Sequence, residues 1–214
     1  MHAVFLDYKT VDANDLDLGS IEALLPEIVV YAFSNEEEVL ARIEDAEVAI
    51  ANKVVFDANV FARATKLKLI CVTATGTNNI DLEAAKQSGV VVCNIRDYCT
   101  ESVVQHVLLS ILTLKHSSRD YSASMDNGDW QDGKSFSLLQ HPITELSGKS
   151  LGIIGYGVLG QGVARAAETL GLKILVGESF TKNNKSDEGV TRVSFDALLT
   201  ESDIISLHCP LTED

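Results

Sequence analysis

From Leu151 to Glu178 the chain reads LGIIGYGVLGQGVARAAETLGLKILVGE, with glycines spaced where a phosphate could be cradled. An apolar strand, Leu151–Ile154, turns through Gly155-Tyr156-Gly157-Val158-Leu159-Gly160 into a helix with Ala, Val and Leu on one face. A second apolar strand, Lys173–Val176, then runs to an acidic residue. Each glycine has its own physical task. Gly155 permits the tight strand-to-helix turn, Gly157 lets the backbone approach a pyrophosphate, and Gly160 lets the helix lie close on the strand. The helix start adds unpaired N–H groups and the positive end of its dipole. Glu178 falls eighteen residues after Gly160, where a carboxylate can accept from a ribose 2′-OH. A lone GxGxxG is compatible with any glycine turn. Strand, glycines, helix, strand and acid in register define a dinucleotide-binding βαβ unit.

The acid also bears on which dinucleotide is expected. A carboxylate at that strand end attracts ribose hydroxyls and repels a 2′-phosphate, so NAD is expected over NADP. Lys182 and Lys185 follow it and read as members of a solvated loop, Thr181–Gly189, offset there by Asp187 and Glu188.

A second set of candidates lies upstream. Asn52-Lys53 follows one apolar strand, and Ala74-Thr75-Gly76-Thr77-Asn78-Asn79-Ile80-Asp81 follows the next. Glycine-permitted N–H groups and hydroxyls at a helix start suit a carboxylate ligand. The same residues also serve as an ordinary polar loop and helix cap, and both readings stand.

These segments need a scaffold, and the first hundred residues supply the pattern for one. Strands are expected at Ala3–Leu6, Ile28–Tyr31, Val48–Ala51, Leu69–Val72 and Val90–Cys93. Ser34 is the expected cap of an acidic helix running through Ile43, whose Glu36, Glu37 and Glu38 suit the dipole of a first turn. Asp57–Ala64 and Asp81–Ser88 read as helices, the latter ended by Gly89. Short apolar strands alternating with helices predict a parallel sheet covered on both faces. The fold class is therefore α/β, with a complete doubly wound domain at 1–98 that lacks pyrophosphate glycines. Residues 99–214 form the dinucleotide-binding unit. Two such domains would place an active site in the cleft between them.

A long amphipathic helix, Glu101–His116, opens the second part, with Thr100 as the expected N-cap and an apolar face of Val103, Val104, Val107, Leu108, Ile111 and Leu114. It has the length to bridge two domains. Gly128–His141 is polar, carries the only tryptophan, Trp130, and reads as an extended excursion toward a second subunit or as a surface loop. The second sheet has expected strands at Leu151–Ile154, Lys173–Val176, Val190–Val193 and Ile204–Leu207, in order 3-2-1-4.

Bulk properties narrow the class. A hydrophobic fraction of 46% with three prolines in 214 residues suits a packed core of one or two domains. Uninterrupted apolar runs fall far below the roughly 18–20 residues that span a bilayer. MHAVFLDYK reads as a first strand and not as a signal peptide. A net charge of −14 argues against nucleic acid or anionic membrane as partner. Cys71 and Cys93 read as small hydrophobes in buried strands; with Cys99 and Cys209 they show no metal spacing, and a reducing cytoplasm is the expected compartment.

Taken together, Asn52-Lys53, ATGTNNID, NIRDYCTESVVQH (Asn94–His106), LSGKSLGIIGYGVLG and SLHCPLT resemble, in order and spacing, the D-isomer-specific 2-hydroxyacid dehydrogenase family. SVVQH looks closest to its glycerate dehydrogenase and hydroxypyruvate reductase branch. The resemblance implies a flavodoxin-like substrate domain, a truncated NAD-binding Rossmann domain and a homodimer in the full-length form. It implies reduction of a small 2-keto acid to a D-2-hydroxy acid, of glycerate, hydroxypyruvate or glyoxylate type. By the same carry-over, Thr75 and Gly76 match the substrate-carboxylate loop, with Thr75 also near the nicotinamide. The pyrophosphate would be met by the N–H groups of Val158 and Leu159, the ribose by Glu178, and the adenosine side by Cys209 and Pro210. Thr100 matches a position at the nicotinamide end, although capping suffices to explain it.

The family's polarising arginine, its acid/base histidine and the glutamate that holds the histidine all follow the HCPLT motif, and no residue here matches them. His208, in SLHCP, matches a structural strand-end position, and His106 and His141 read as packing or surface residues. The expectation is a fragment, inactive by itself, with Ile204–Leu207 left as a hydrophobic edge strand. Two other functions remain possible readings. One is a non-catalytic NAD-sensing regulator or scaffold of the same fold, and the other is a Rossmann-like domain for S-adenosylmethionine or FAD, which ATGTNNID disfavours.

Overall fold

Alternating apolar strands and capped helices build two parallel sheets in the computed structural model, which describes residues 1–179 and 191–210. The chain divides into two compact units, Met1–Tyr98 and Cys99–Asp214.

In the first unit the elements run β1 (Ala3–Phe5), α1 (Gly19–Leu24), β2 (Ile28–Val30), α2 (Glu36–Ile43), β3 (Val48–Ala51), α3 (Ala58–Arg63), β4 (Leu69–Val72), α4 (Leu82–Gln87) and β5 (Val91–Asn94). The five strands are parallel in the order β2-β1-β3-β4-β5, the doubly wound flavodoxin-like arrangement. Val4, Leu6, Ile43, Phe56 and Ile70 are wholly buried in its core.

Burial fades toward the sheet's margins, against the expectation of full cover. Every residue of β1 and β3 is buried, whereas β2 and β5 are partly open. Cys93 is exposed and Cys71 half-buried, because side chains alternate faces and these two share the more open one. The cap of α2 also shifts by one residue. Asn35 holds the position in a reciprocal capping box: its Oδ1 accepts from Glu38 N–H at 2.9 Å while Glu38 Oε2 accepts from Asn35 N–H at 2.9 Å. Ser34 instead donates to the carbonyl of Leu6. Asp57 and Asp81 cap α3 and α4 through their carboxylates.

The second unit runs α5 (Thr100–Lys115), α6 (Ser118–Asp126), α7 (Asp129–Asp132), β6 (Ser150–Ile154), α8 (Val158–Thr169), β7 (Lys173–Gly177), β8 (Arg192–Val193), α9 (Phe195–Glu201) and β9 (Ile204–Leu207). The order of its four parallel strands is β8-β7-β6-β9, the expected 3-2-1-4. Val190, at the start of the strand expected over Val190–Val193, lies outside the described residues, as do Lys182 and Lys185.

Two features here correct the sequence reading. Cys99, not Thr100, is the N-cap of α5, and Thr100 is the first helical residue, with its methyl against α8. Leu114, placed on the apolar face, is 80% exposed, while Val104 and Ile111 carry the burial. The Gly128–His141 stretch contains a helical turn, α7, and its far end folds back on α6. There Tyr121 Oη donates to the carbonyls of Leu138 (3.2 Å) and His141 (2.9 Å), and Ser124 Oγ lies 3.0 Å from His141 Nε2. No described helix is long and apolar enough to cross a membrane.

Candidate functional site

In the second unit, β6 delivers the chain into the glycine turn. Gly155 has φ +92°, a left-handed conformation that penalises any side chain, and a Cβ there would overlap the His208 carbonyl and the Cys209 amide. The turn at the end of β6 is thereby packed against the loop that leaves β9, the loop that carries Cys209 and Pro210. A Cβ at Gly160 would overlap the Gly155 carbonyl oxygen and press on Ile153 Cγ2 at 3.2 Å, so its absence lets α8 come down onto β6. At Gly162 a Cβ would meet Thr100 Cγ2 and Val104 Cγ2 at 3.0 Å each, which fixes the approach of α5 to α8.

Gly157 differs from its neighbours. A Cβ there meets nothing within 4 Å among the described residues, so no described neighbour requires the absence of a side chain. Gly157 is the N-cap of α8 and has no side-chain cap bond, and the first helical bond runs from Gln161 N–H to the Gly157 carbonyl at 2.9 Å. The N–H groups of Val158 and Leu159 at this helix start therefore have no intrahelical acceptor, and Val158 is 52% exposed. Open space beside unpaired donors and a dipole end can receive a phosphate diester. The residues present fit a dinucleotide.

Glu178 leaves the end of β7, its N–H bonded to the Val193 carbonyl at 3.0 Å and its side chain exposed. Arg192 of β8, which sequence reading did not single out, donates from Nη1 to the Gly177 carbonyl immediately before it. Cys209 and Pro210 are exposed, following His208, whose N–H bonds to the Ile154 carbonyl at 2.7 Å. Burial pushes the His208 imidazole below its ordinary value, and Nε2 lies 2.9 Å from Ser206 Oγ, so the ring is a neutral strand-end group. His106 is exposed on α5.

In the first unit Thr75 and Gly76 are exposed in the loop at the carboxyl end of β4. The loop is held from both sides. Asn94 Nδ2 donates to the Thr75 carbonyl at 2.7 Å and Ile95 N–H to the Ala74 carbonyl at 3.1 Å. On the other side Asn79 Nδ2 donates to the Val54 carbonyl at 2.7 Å, and Phe56 pairs with Ile80 as an isolated parallel bridge. Gly76 has a small reserve of room, since a Cβ meets only Asn78 Oδ1, at 3.1 Å.

Asn52-Lys53 is organised by a residue that the motifs did not flag. Asp7, buried at the end of β1, accepts from Asn52 N–H at 2.9 Å and from Lys53 N–H at 2.6 Å. Lys53 is exposed, and its ammonium has no ion-pair partner among the described residues. It borders a cleft shared with Ser34, Asn35, Glu36, Glu37 and Val54, which does not include Thr75 or Gly76.

With this geometry in place, the comparisons with known proteins decide the family. Residues 5–203 match the family described as D-isomer specific 2-hydroxyacid dehydrogenase, catalytic domain. The chain belongs to that family. It is 40% identical over 212 residues to a glycerate dehydrogenase of Methylorubrum extorquens, covering 99% of this chain and 64% of that protein. It is 36% identical over 214 residues to a hydroxypyruvate reductase of Blautia hydrogenotrophica, covering 99% of this chain and 66% of the relative. The chain therefore spans about two thirds of the length of these curated relatives. Among solved structures it is similar to the D-lactate dehydrogenase of Aquifex aeolicus complexed with NAD and lactic acid. The TM-score is 0.78 at 26% identity, covering 99% of this chain and 62% of that one. It is also similar to the TT0316 protein of Thermus thermophilus, with TM-score 0.82 and 28% identity, covering all of this chain and 66% of the other.

Proposed function

We propose that this chain carries the cofactor-binding and carboxylate-binding elements of an NAD-dependent oxidoreductase that interconverts a small D-2-hydroxy acid and its 2-keto acid, of glycerate, hydroxypyruvate or glyoxylate type. The open face of Gly157 beside the unpaired donors of α8 carries the reading, because no contact among the described residues explains it. When bound, the nicotinamide supplies the hydride acceptor or donor. The chain's own residues bind and orient. Val158 and Leu159 N–H groups receive the pyrophosphate, and Gly155 and Gly160 hold that turn on β6. Glu178 receives the adenosine ribose, and Cys209 and Pro210 line the adenosine side. Thr75 and Gly76 hold the substrate carboxylate, with Thr75 also near the nicotinamide. Residues 1–98 are thus the substrate domain and 99–214 the cofactor domain.

No residue of the 214 matches the family's polarising arginine, acid/base histidine or the glutamate behind it, so these residues alone are expected to bind both ligands without turning them over. The protein is proposed to work as a homodimer in the cytoplasm. Phe136 and Leu139, 91% and 86% exposed in the stretch that follows α7, are the apolar surface a second copy would cover. Backbone amide shifts on titration test the assignment. NAD should move Val158 and Leu159, and glyoxylate should move Thr75 and Gly76; if both ligands perturb only other residues, the reading fails.

A further inference from the structure

We infer that Asp7 is a positioning residue, a buried carboxylate that sets the Asn52–Val54 backbone and, through Asn79, the Thr75–Gly76 loop. The inference rests on the substrate role proposed for that loop.

Asp7 is 3% exposed and stands at the carboxyl end of β1, beside β3, where the strand order reverses. No described cation pairs with it. A buried carboxylate without a counter-charge persists only where hydrogen bonds replace its hydration. Here they are backbone donors: Asn52 N–H reaches Oδ1 at 2.9 Å and Oδ2 at 3.1 Å, and Lys53 N–H reaches Oδ2 at 2.6 Å. Charge-assisted bonds of this kind are the stronger and more directional class. A residue needed only for packing would be apolar at this depth, so the carboxylate's effect is to fix where the chain leaves β3.

The Asn52 side chain is fixed by the same residue at one remove. Thr10 Oγ1 donates to the Asp7 carbonyl at 2.7 Å and accepts from Asn52 Nδ2 at 3.0 Å. The segment so fixed presents its carbonyls to Asn79, whose Nδ2 lies 2.7 Å from the Val54 oxygen and 3.5 Å from the Asn52 oxygen. The Asn79 carbonyl in turn accepts from Phe56 N–H at 2.8 Å, and Ile80 N–H closes the turn onto the Thr77 carbonyl at 3.0 Å. A path of hydrogen bonds and chain links therefore runs from Asp7 through Asn52–Val54 and Asn79–Ile80 to the Thr77 carbonyl, two residues from Thr75, while Asn94 and Ile95 hold the Thr75 and Ala74 carbonyls from the opposite side.

Asp7→Asn preserves shape but removes the charge and leaves one acceptor for the Asn52 and Lys53 N–H groups, with an amide donor in the other position. In the full 214-residue chain, amide exchange should quicken about tenfold at Lys53, Phe56 and Ile80, the scale of one lost charge-assisted bond, while Ile70 and Ile153 stay unchanged. Glyoxylate should bind about tenfold more weakly, read at the Gly76 amide, with NAD affinity read at Val158 unaltered. A general loss of structure would move both affinities together. Quickened exchange confined to Asn52 and Lys53, or unchanged glyoxylate affinity in a wild type that binds it, overturns the inference.

If wild-type protein shows no glyoxylate shift at Gly76, the substrate reading of the loop fails, and the exchange pattern still decides the role of Asp7. Asn79→Ala tests the same path if Asp7→Asn does not fold. Coupling is reciprocal, so Lys53 N–H, bonded to Asp7 and not to Asn79, should also exchange faster. An unchanged Lys53 rate in that variant overturns the inference.

Discussion

Gly155 lies against the peptide that joins His208 to Cys209, close enough that the position of a Cβ on Gly155 is already filled. The contact makes the glycine turn after β6 and the loop after β9 one structural piece, and it explains why φ of +92° is retained there. Gly155→Ala combines a left-handed alanine with backbone overlap, so it should destabilise the second unit by roughly 3 kcal/mol or more. Thermal or urea unfolding monitored within Cys99–Asp214 checks this. A transition as stable as wild type would mean that the two loops separate freely.

Glu178 should set cofactor preference. Its carboxylate is exposed at the end of β7, and a 2′-phosphate placed there would face like charge. Glu178→Ala is expected to weaken NAD binding and to narrow the gap to NADP. Titrating both cofactors into wild type and variant gives the comparison, and equal wild-type affinity for the two would show that Glu178 does not face the ribose.

Gly76→Val should act on substrate and spare the cofactor. Among the described residues only Asn78 Oδ1 stands near the new Cβ, at 3.1 Å, and as a side-chain atom it can shift, while the approach to the backbone N–H is lost. Weaker glyoxylate binding is expected with NAD affinity unchanged. An unaltered glyoxylate affinity would return Thr75-Gly76 to service as a loop and helix cap.

Local chemistry made the glycine turn and the individual strands readable from sequence. GIIGYGVLG carries its own punctuation, and each apolar strand announces itself without reference to distant residues. Asp7 was not legible because its partners, Asn52 and Lys53, lie more than forty residues away and use only backbone N–H groups, which no side-chain pattern reveals. Cap positions slipped by one, to Asn35 from Ser34 and to Cys99 from Thr100, because adjacent polar residues compete and tertiary contacts choose between them. Ser34 is drawn away by the Leu6 carbonyl, and the Thr100 methyl by the bare face of Gly162. The exposure of Cys93 reflects its place at the sheet's margin, which depends on strand order and not on the apolar run itself.

Acid should loosen the loop after β1. Asp12 is held down to about 2, chiefly by the Lys9 ammonium and then by the N–H groups of Leu16 and Asp15. Its folded value lies below the usual carboxylate value of about 3.9. Its stabilisation is therefore present above that value and lost as pH falls through about 2. Asp12→Asn should lower the melting temperature at pH 6, with the difference shrinking toward pH 2. A difference independent of pH would assign the loss to packing instead of charge.

The most direct test is NAD binding by Gly157→Val, measured by calorimetry beside wild type. A Cβ at Gly157 meets nothing within 4 Å among the described residues, so the variant should fold and melt as wild type does. Its branched side chain would nevertheless occupy the space in front of the Val158 and Leu159 donors. Wild-type protein is expected to bind NAD, and the variant to lose affinity by about a hundredfold, the scale of two hydrogen bonds to a charged ligand. A well-folded Gly157→Val that binds NAD as tightly as wild type would contradict the assignment of this turn as the cofactor site.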